Sequence, residues 1–154
     1  MGVRIIALGQ RAAGDDGVGL VVIDRLRAVG VPDGAVLHEI AEATAMIPLL
    51  ETRDPVVVID AIVGPPCVGE LFSLSPEHFA ARGLAAYSTH GVGAIEAIEL
   101  ARALSGDRVS PSIRIVGIVI DRPMSYRQQL SPAVARAVPG AVASILAMIG
   151  ESHA

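Results

Sequence analysis

Arg4-Ile5-Ile6-Ala7-Leu8-Gly9-Gln10-Arg11-Ala12-Ala13-Gly14-Asp15-Asp16-Gly17-Val18-Gly19 is the stretch that decides how the chain is read. Its apolar run, residues 3–8, reads as a buried strand. A loop with two glycines follows, then a pair of aspartates, then a helical pattern with Val18, Val22, Leu26 and Val29 on one face. In an open α/β sheet, such a strand–loop–helix junction faces the crevice beyond the carboxyl ends of the strands, where ligands bind. Gly9 and Gly14 are spaced like a phosphate cradle, but Asp15 and Asp16 stand where that loop needs Lys and Ser or Thr. Carboxylates repel phosphate, so the loop suits a cation or something that carries one. Asp15 fits the N-cap of the helix. Neighbouring helical residues point about 100° apart, so one of the two carboxylates faces the site, and Asp16 is assigned that direction.

Outward from this stretch, strands and helices alternate. Pro32-Asp33-Gly34 makes a turn, Ala35 to Ile40 a short strand, and Thr44 to Glu51 a short helix. Val56-Val57-Val58-Ile59-Asp60-Ala61-Ile62-Val63 is a continuous, largely β-branched run, the pattern of a strand covered on both faces. A carboxylate inside such a run is expensive, so the strand is expected to end at Asp60, with that side chain in the crevice. Alternatively, Asp60 caps a turn or pairs with an arginine. Gly69 to Leu74 reads as a further strand at an edge, and Ser75-Pro76-Glu77-His78 leads into an irregular segment. In Tyr87-Ser88-Thr89-His90-Gly91-Val92-Gly93, Ser88 or Thr89 is a natural N-cap for a helix with apolar residues at 95, 98, 101 and 104. That places His90 in a first helical turn, whereas His38, His78 and His153 show no site context. Ser105 to Pro111 is a polar loop, Ile113 to Ile120 the last strand, and Asp121-Arg122-Pro123 its end. Ser131-Pro132 opens a final helix with a stripe of Val134, Val138, Val142, Ile145 and Ile149, and Pro139 inside it is expected to kink it.

Composition narrows the function classes. The 154 residues predict one domain, 1–154, and 52% apolar content supplies an aliphatic core with two Tyr, two Phe and no Trp. A net charge of −4 without a basic cluster argues against nucleic acid. Cys67 is the single cysteine, which excludes an internal disulfide and a cysteine-cluster metal site. The N-terminus does not read as a signal peptide, and no apolar run approaches the ~18 residues of a membrane span. A cytoplasmic, soluble monomer without membrane contact is the expectation. All twelve basic residues are arginine. Schiff-base chemistry and a phosphate-loop lysine are thereby excluded.

The alternation predicts a three-layer α/β/α sandwich with a mostly parallel sheet. Three groups then converge from separate strand–helix junctions: Asp16, Asp60 and His90. Two carboxylates and an imidazole suit a divalent transition metal with open coordination positions. No serine or cysteine has a recognisable base beside it, so a covalent nucleophile is poorly supported.

At these residues the sequence resembles the hydrogenase maturation endopeptidases of nickel–iron hydrogenases. The resemblance lies in the first strand, in Asp15-Asp16-Gly17-Val18-Gly19, in Val57-Val58-Ile59-Asp60-Ala61 and in Thr89-His90-Gly91. It implies a five-stranded sheet of phosphorylase/hydrolase-like type with one antiparallel strand. It implies that Asp16, Asp60 and His90 contact metal and carry catalysis. It also implies a partner and a reaction: cleavage of the C-terminal extension from a hydrogenase large-subunit precursor after nickel insertion. The nickel belongs to the substrate and serves as the recognition element. The chain departs from the family where Gly9-Gln10-Arg11 replaces Gly-x-Gly-Asn, where Glu42-Ala43 precedes Thr44 in place of a glycine pair, and where Ile120-Asp121 replaces Pro-Glu. These departures bear on substrate choice. Rival readings are a small-molecule metallohydrolase, a non-catalytic metal-site binder and a phospho-receiver domain. The receiver lacks its lysine here.

Overall fold

A computed structural model of the chain describes residues 2–63, 67–83, 93–121 and 129–153. Its centre is a five-stranded sheet of β1 (Val3–Leu8), β2 (Ala35–Ile40), β3 (Val56–Val63), β4 (Leu71–Leu74) and β5 (Ile113–Ile120), in the order β2-β1-β3-β5-β4. All neighbours are parallel except β4, which runs antiparallel to β5 at an edge. The helices are α1 (Val18–Val29), α2 (Pro76–Ala81), α3 (Ala94–Ser105) and α4 (Pro132–His153). The expected sandwich and its single antiparallel strand are present.

Strand parity sorts the core into two layers. Val3, Ile5 and Ala7, with Val57, Ile59 and Ala61 and with Val116, Ile118 and Ile120, pack against α1 and α4. The alternate residues, among them Ile6, Leu8, Val58, Ile62, Ile115 and Val119, pack against α3, Phe79 of α2 and short turns at 43–50. β3 lies in the middle of the sheet and is buried over Val56–Ile62, which is why its sequence reads as an unbroken apolar run.

The buried stripe of the final helix is as expected. Val134, Val138, Val142, Ile145 and Ile149 are all buried, and the helix continues through Pro139. Pro132–Gly150 also has the length and apolar composition of a membrane span, with mean hydropathy 1.7. That is a correction to the sequence reading; 39% of the segment is buried, its stripe against the sheet and α1.

Other differences have physical reasons. The segment after β1 is a 3₁₀ stretch, Arg11–Gly17, and α1 begins only at Val18. Val29, expected on the buried stripe, is 58% exposed at the last turn of α1. The region expected to be a helix over 44–51 is two 3₁₀ turns, Ala43–Met46 and Pro48–Leu50, because Pro48 supplies no N–H to continue an α-helix. Ser75-Pro76-Glu77-His78 is not irregular: the Ser75 hydroxyl accepts from the His78 N–H at 3.2 Å and caps α2. α3 takes Gly93 as its N-cap in place of Ser88 or Thr89, and Leu104 is exposed.

Candidate functional site

The carboxyl end of β1 lies beside β3 at Ile59 and Asp60, and tight backbone packing shapes the ground around it. A Cβ on Gly9 would lie 2.4 Å from the Asp16 carbonyl oxygen, and one on Gly17 would lie 2.8 Å from the Gln10 carbonyl oxygen. Only glycines allow the 3₁₀ stretch to fold back on the strand end this closely. In the first turn of α1, a Cβ on Gly19 would lie 3.3 Å from the Leu8 oxygen and 3.2 Å from the Ile59 oxygen. The start of α1 therefore sits over the point where β1 and β3 part.

The pairing register shows where that point is. β1 pairs with β3 only as far as Ala7↔Ile59, whereas β5 pairs with β3 through Val63↔Ile120. Asp60 is the first β3 residue beyond the last β1 pair. The expectation that β3 ends at Asp60 is thus corrected: β5 holds the strand to Val63, and Asp60 sits within it opposite Gly117. The Phe79 ring and Ile62 close over Gly117, where a Cβ would meet them at 3.2 and 3.3 Å. By parity Asp60 lies on the face covered by α2 and α3.

Among the described residues only three buried side chains are polar: Asp16 (7% exposed), Asp60 (2%) and Ser110 (3%). Ser110 has a structural task, donating to the Asp54 carbonyl at 2.7 Å. The other two are carboxylates: Asp16 lies in the stretch that follows β1, and Asp60 lies in β3 just beyond its last pair with β1. Buried acids are rare in cores because desolvation opposes their charge, so the two make this end of the sheet the candidate site. His90, the third predicted member, lies outside the described residues, and the described chain resumes at Gly93, the cap of α3. Among the described residues no three His, Cys, Asp or Glu side chains form a metal-holding group.

Asp15 is not the cap of α1. Its carboxylate accepts from the Ser131 N–H at 2.6 Å and from the Ser131 hydroxyl at 2.7 Å. No local pattern marks this contact, because its partners are 116 residues apart. Arg11 is a second residue whose role the sequence reading missed. It donates to both Asp24 oxygens at 2.6 and 3.1 Å and to Glu39 at 2.7 Å, while Arg27 also reaches Glu39 at 2.7 Å. The network ties the start of the 3₁₀ stretch to α1 and β2. The Arg11 hydrogen bond holds the Asp24 carboxyl below the usual range. Glu39 is lowered chiefly by Arg27, with partial burial opposing.

His38 is half-buried on β2, and its pKa is pushed down by burial and by Arg4. His78 lies in α2.

The family model described as hydrogenase maturation protease matches residues 35–148, well over half of the chain. The chain belongs to the hydrogenase maturation protease family. It is therefore a peptidase. The matched span holds Asp60 and His90 and begins after Asp16. Among solved structures, the chain is similar to the [NiFe] hydrogenase maturation protease HybD of Thermococcus kodakarensis, with 28% identity and a TM-score of 0.77 over 97% of this chain and 99% of that one. It is also similar to the hydrogenase 2 maturation peptidase of a Thaumarchaeota archaeon, with 27% identity and a TM-score of 0.69 over 97% and 99%. The hydrogenase maturating endopeptidase HybD of Escherichia coli shares the fold, with a TM-score of 0.81 at 21% identity over 99% and 94%. No curated protein sequence matches the chain.

Proposed function

We propose that this peptidase removes the C-terminal extension of a nickel–iron hydrogenase large-subunit precursor after nickel has been inserted. Asp16, Asp60 and His90 read the substrate's nickel and form the active site. The observation that carries this reading is the pair of buried carboxylates, Asp16 in the stretch after β1 and Asp60 in β3 just beyond its last pair with β1. Membership of the maturation protease family supports the reaction class. The nickel of the precursor is substrate, and two carboxylates with a neutral imidazole are fitting donors for its open positions. Held between substrate and enzyme, that metal orients the scissile peptide and can polarise its carbonyl or activate water. The α2 and α3 side of the sheet, with Phe79 over Gly117, keeps bulk water from one flank of Asp60. In this proposal the enzyme works in the cytoplasm as a monomer, with residues 1–154 as one domain and without nucleic-acid or membrane contact.

The test uses Asp16→Asn, Asp60→Asn and His90→Ala. The asparagines keep shape and remove charge, so circular dichroism should match the parent while precursor processing falls at least about 100-fold. His90→Ala should also weaken binding of nickel or cadmium to the isolated protein by calorimetry. Normal processing by both asparagine variants would defeat the proposed active site, and equal metal affinity in His90→Ala would remove His90 from it.

A further inference from the structure

Asp15 directly precedes Asp16 yet takes no part in the function proposed above. Both oxygens of its carboxylate are engaged by one distant residue: the Ser131 N–H donates to Oδ1 at 2.6 Å, and the Ser131 hydroxyl donates to Oδ2 at 2.7 Å. Ser131 immediately precedes α4, and its carbonyl accepts the first helical bond, from the Ala135 N–H at 2.8 Å. The first N–H groups of a helix have no partner within it, and its dipole favours negative charge at that end. A side chain from the β1–α1 junction therefore caps the chain's longest helix, at 22 residues. Charge-assisted bonds of this kind are stronger than neutral ones.

The clamp also acts on Asp16. Both aspartates lie in the 3₁₀ stretch Arg11–Gly17, where successive side chains point about 120° apart. With Asp15 fixed on Ser131, the backbone that carries Asp16 is held from one side. The backbone of the same stretch is seated from the other side on Gly9, at the close approach to the Asp16 carbonyl. We propose that Asp15 is a positioning residue: through Ser131 it sets the orientation of Asp16 toward the substrate's metal and ties the start of α4 to the site. This inference rests on the role proposed for Asp16.

The test measures processing of nickel-loaded precursor by Asp15→Ala, Asp15→Asn, Ser131→Ala and the double variant Asp15→Ala/Ser131→Ala. All are assayed well below their melting temperatures. Each alanine variant should lose about 10- to 100-fold in kcat/KM, the scale of a displaced reacting group. The double variant should lose no more than Asp15→Ala alone, because the two residues act as one unit. Asp15→Asn keeps an oxygen for the Ser131 N–H and should recover most of the loss. A merely structural cap would lower the melting temperature and leave kcat/KM unchanged, and that result would overturn the proposal. Additive losses in the double variant would overturn it too. Should Asp15→Ala fail to fold, Ser131→Ala carries the test, since it keeps the carboxylate and the backbone N–H. Asp16→Asn is run alongside. If it is inactive while the clamp variants are fully active, the positioning role alone fails. If it processes normally, the proposed active site fails and the positioning role falls with it.

Discussion

Asp24 and Glu39 illustrate how much the surroundings of a single carboxylate decide. They sit on the surface in a four-charge network with Arg11 and Arg27, and the Arg11 side chain is 50% exposed. Exposed pairs of this kind contribute little individually. Both acids have pKa values below their ordinary ones, chiefly through hydrogen bonds from Arg11 to Asp24 and from Arg27 to Glu39. Depressed acids contribute stability that is fully present above the unfolded value, about 4, and lost as pH falls through the folded values. Arg11→Ala should therefore lower the melting temperature by about 1–3 °C at pH 7. The gap should close below about pH 4. A gap of constant size from neutral pH to strong acid contradicts this account of Arg11. Asp16 and Asp60 differ in kind from these surface acids. They are buried where β1 and β3 part, the placement on which the proposed active site rests.

At the scale of elements, the junction after β1 is built on glycine. Gly9→Ala would press a methyl group to within 2.4 Å of the Asp16 carbonyl oxygen, so the 3₁₀ stretch must move. The expected outcome is a loss of about 1–3 kcal/mol in stability, the scale of overpacking, together with reduced processing. Gly150→Ala, with nothing within 4 Å of its added methyl in α4, should be neutral or stabilising by up to about 1 kcal/mol. Thermal melts of the two variants check the contrast, and equal stability would show that the strand end tolerates the displacement. Elements with a strong period were legible from sequence: the buried run of β3, the stripe of α4, and β1 and β5. Failures came where tertiary pairing overrides local pattern. Asp60 read as a strand end because nothing in residues 56–63 reveals that β5 pairs on to Ile120 after β1 has stopped. Asp15 read as a local cap because its partner is 116 residues away. The capping of α2 was missed although Ser75-Pro76-Glu77 carried its signal.

Across the whole molecule, the parallel pairing of β1 and β3 inside the sheet sets Asp60 just beyond the last β1 pair, and a chain of 154 residues thereby buries two distant acids, Asp16 and Asp60, towards the same end of the sheet. The two acids were legible as candidates, because an aspartate in or beside an apolar run stands out. The clamp on Asp15 and the anchoring of Arg11 were not, because hydrogen-bond partners across the fold leave no periodic trace. The chain belongs to the hydrogenase maturation protease family; in the function proposed for it, the peptidase also reads nickel in its substrate. A checkpoint enzyme must prefer the loaded state, and its discrimination cannot exceed its differential affinity for the two states. The most direct test incubates the purified protein with nickel-loaded large-subunit precursor, with metal-free precursor and with a synthetic peptide spanning the cleavage site, and follows the shortened product by mass. The account predicts cleavage of the loaded precursor alone, because only that substrate presents a metal to Asp16, Asp60 and His90. Efficient cleavage of the metal-free precursor or of the peptide would contradict it.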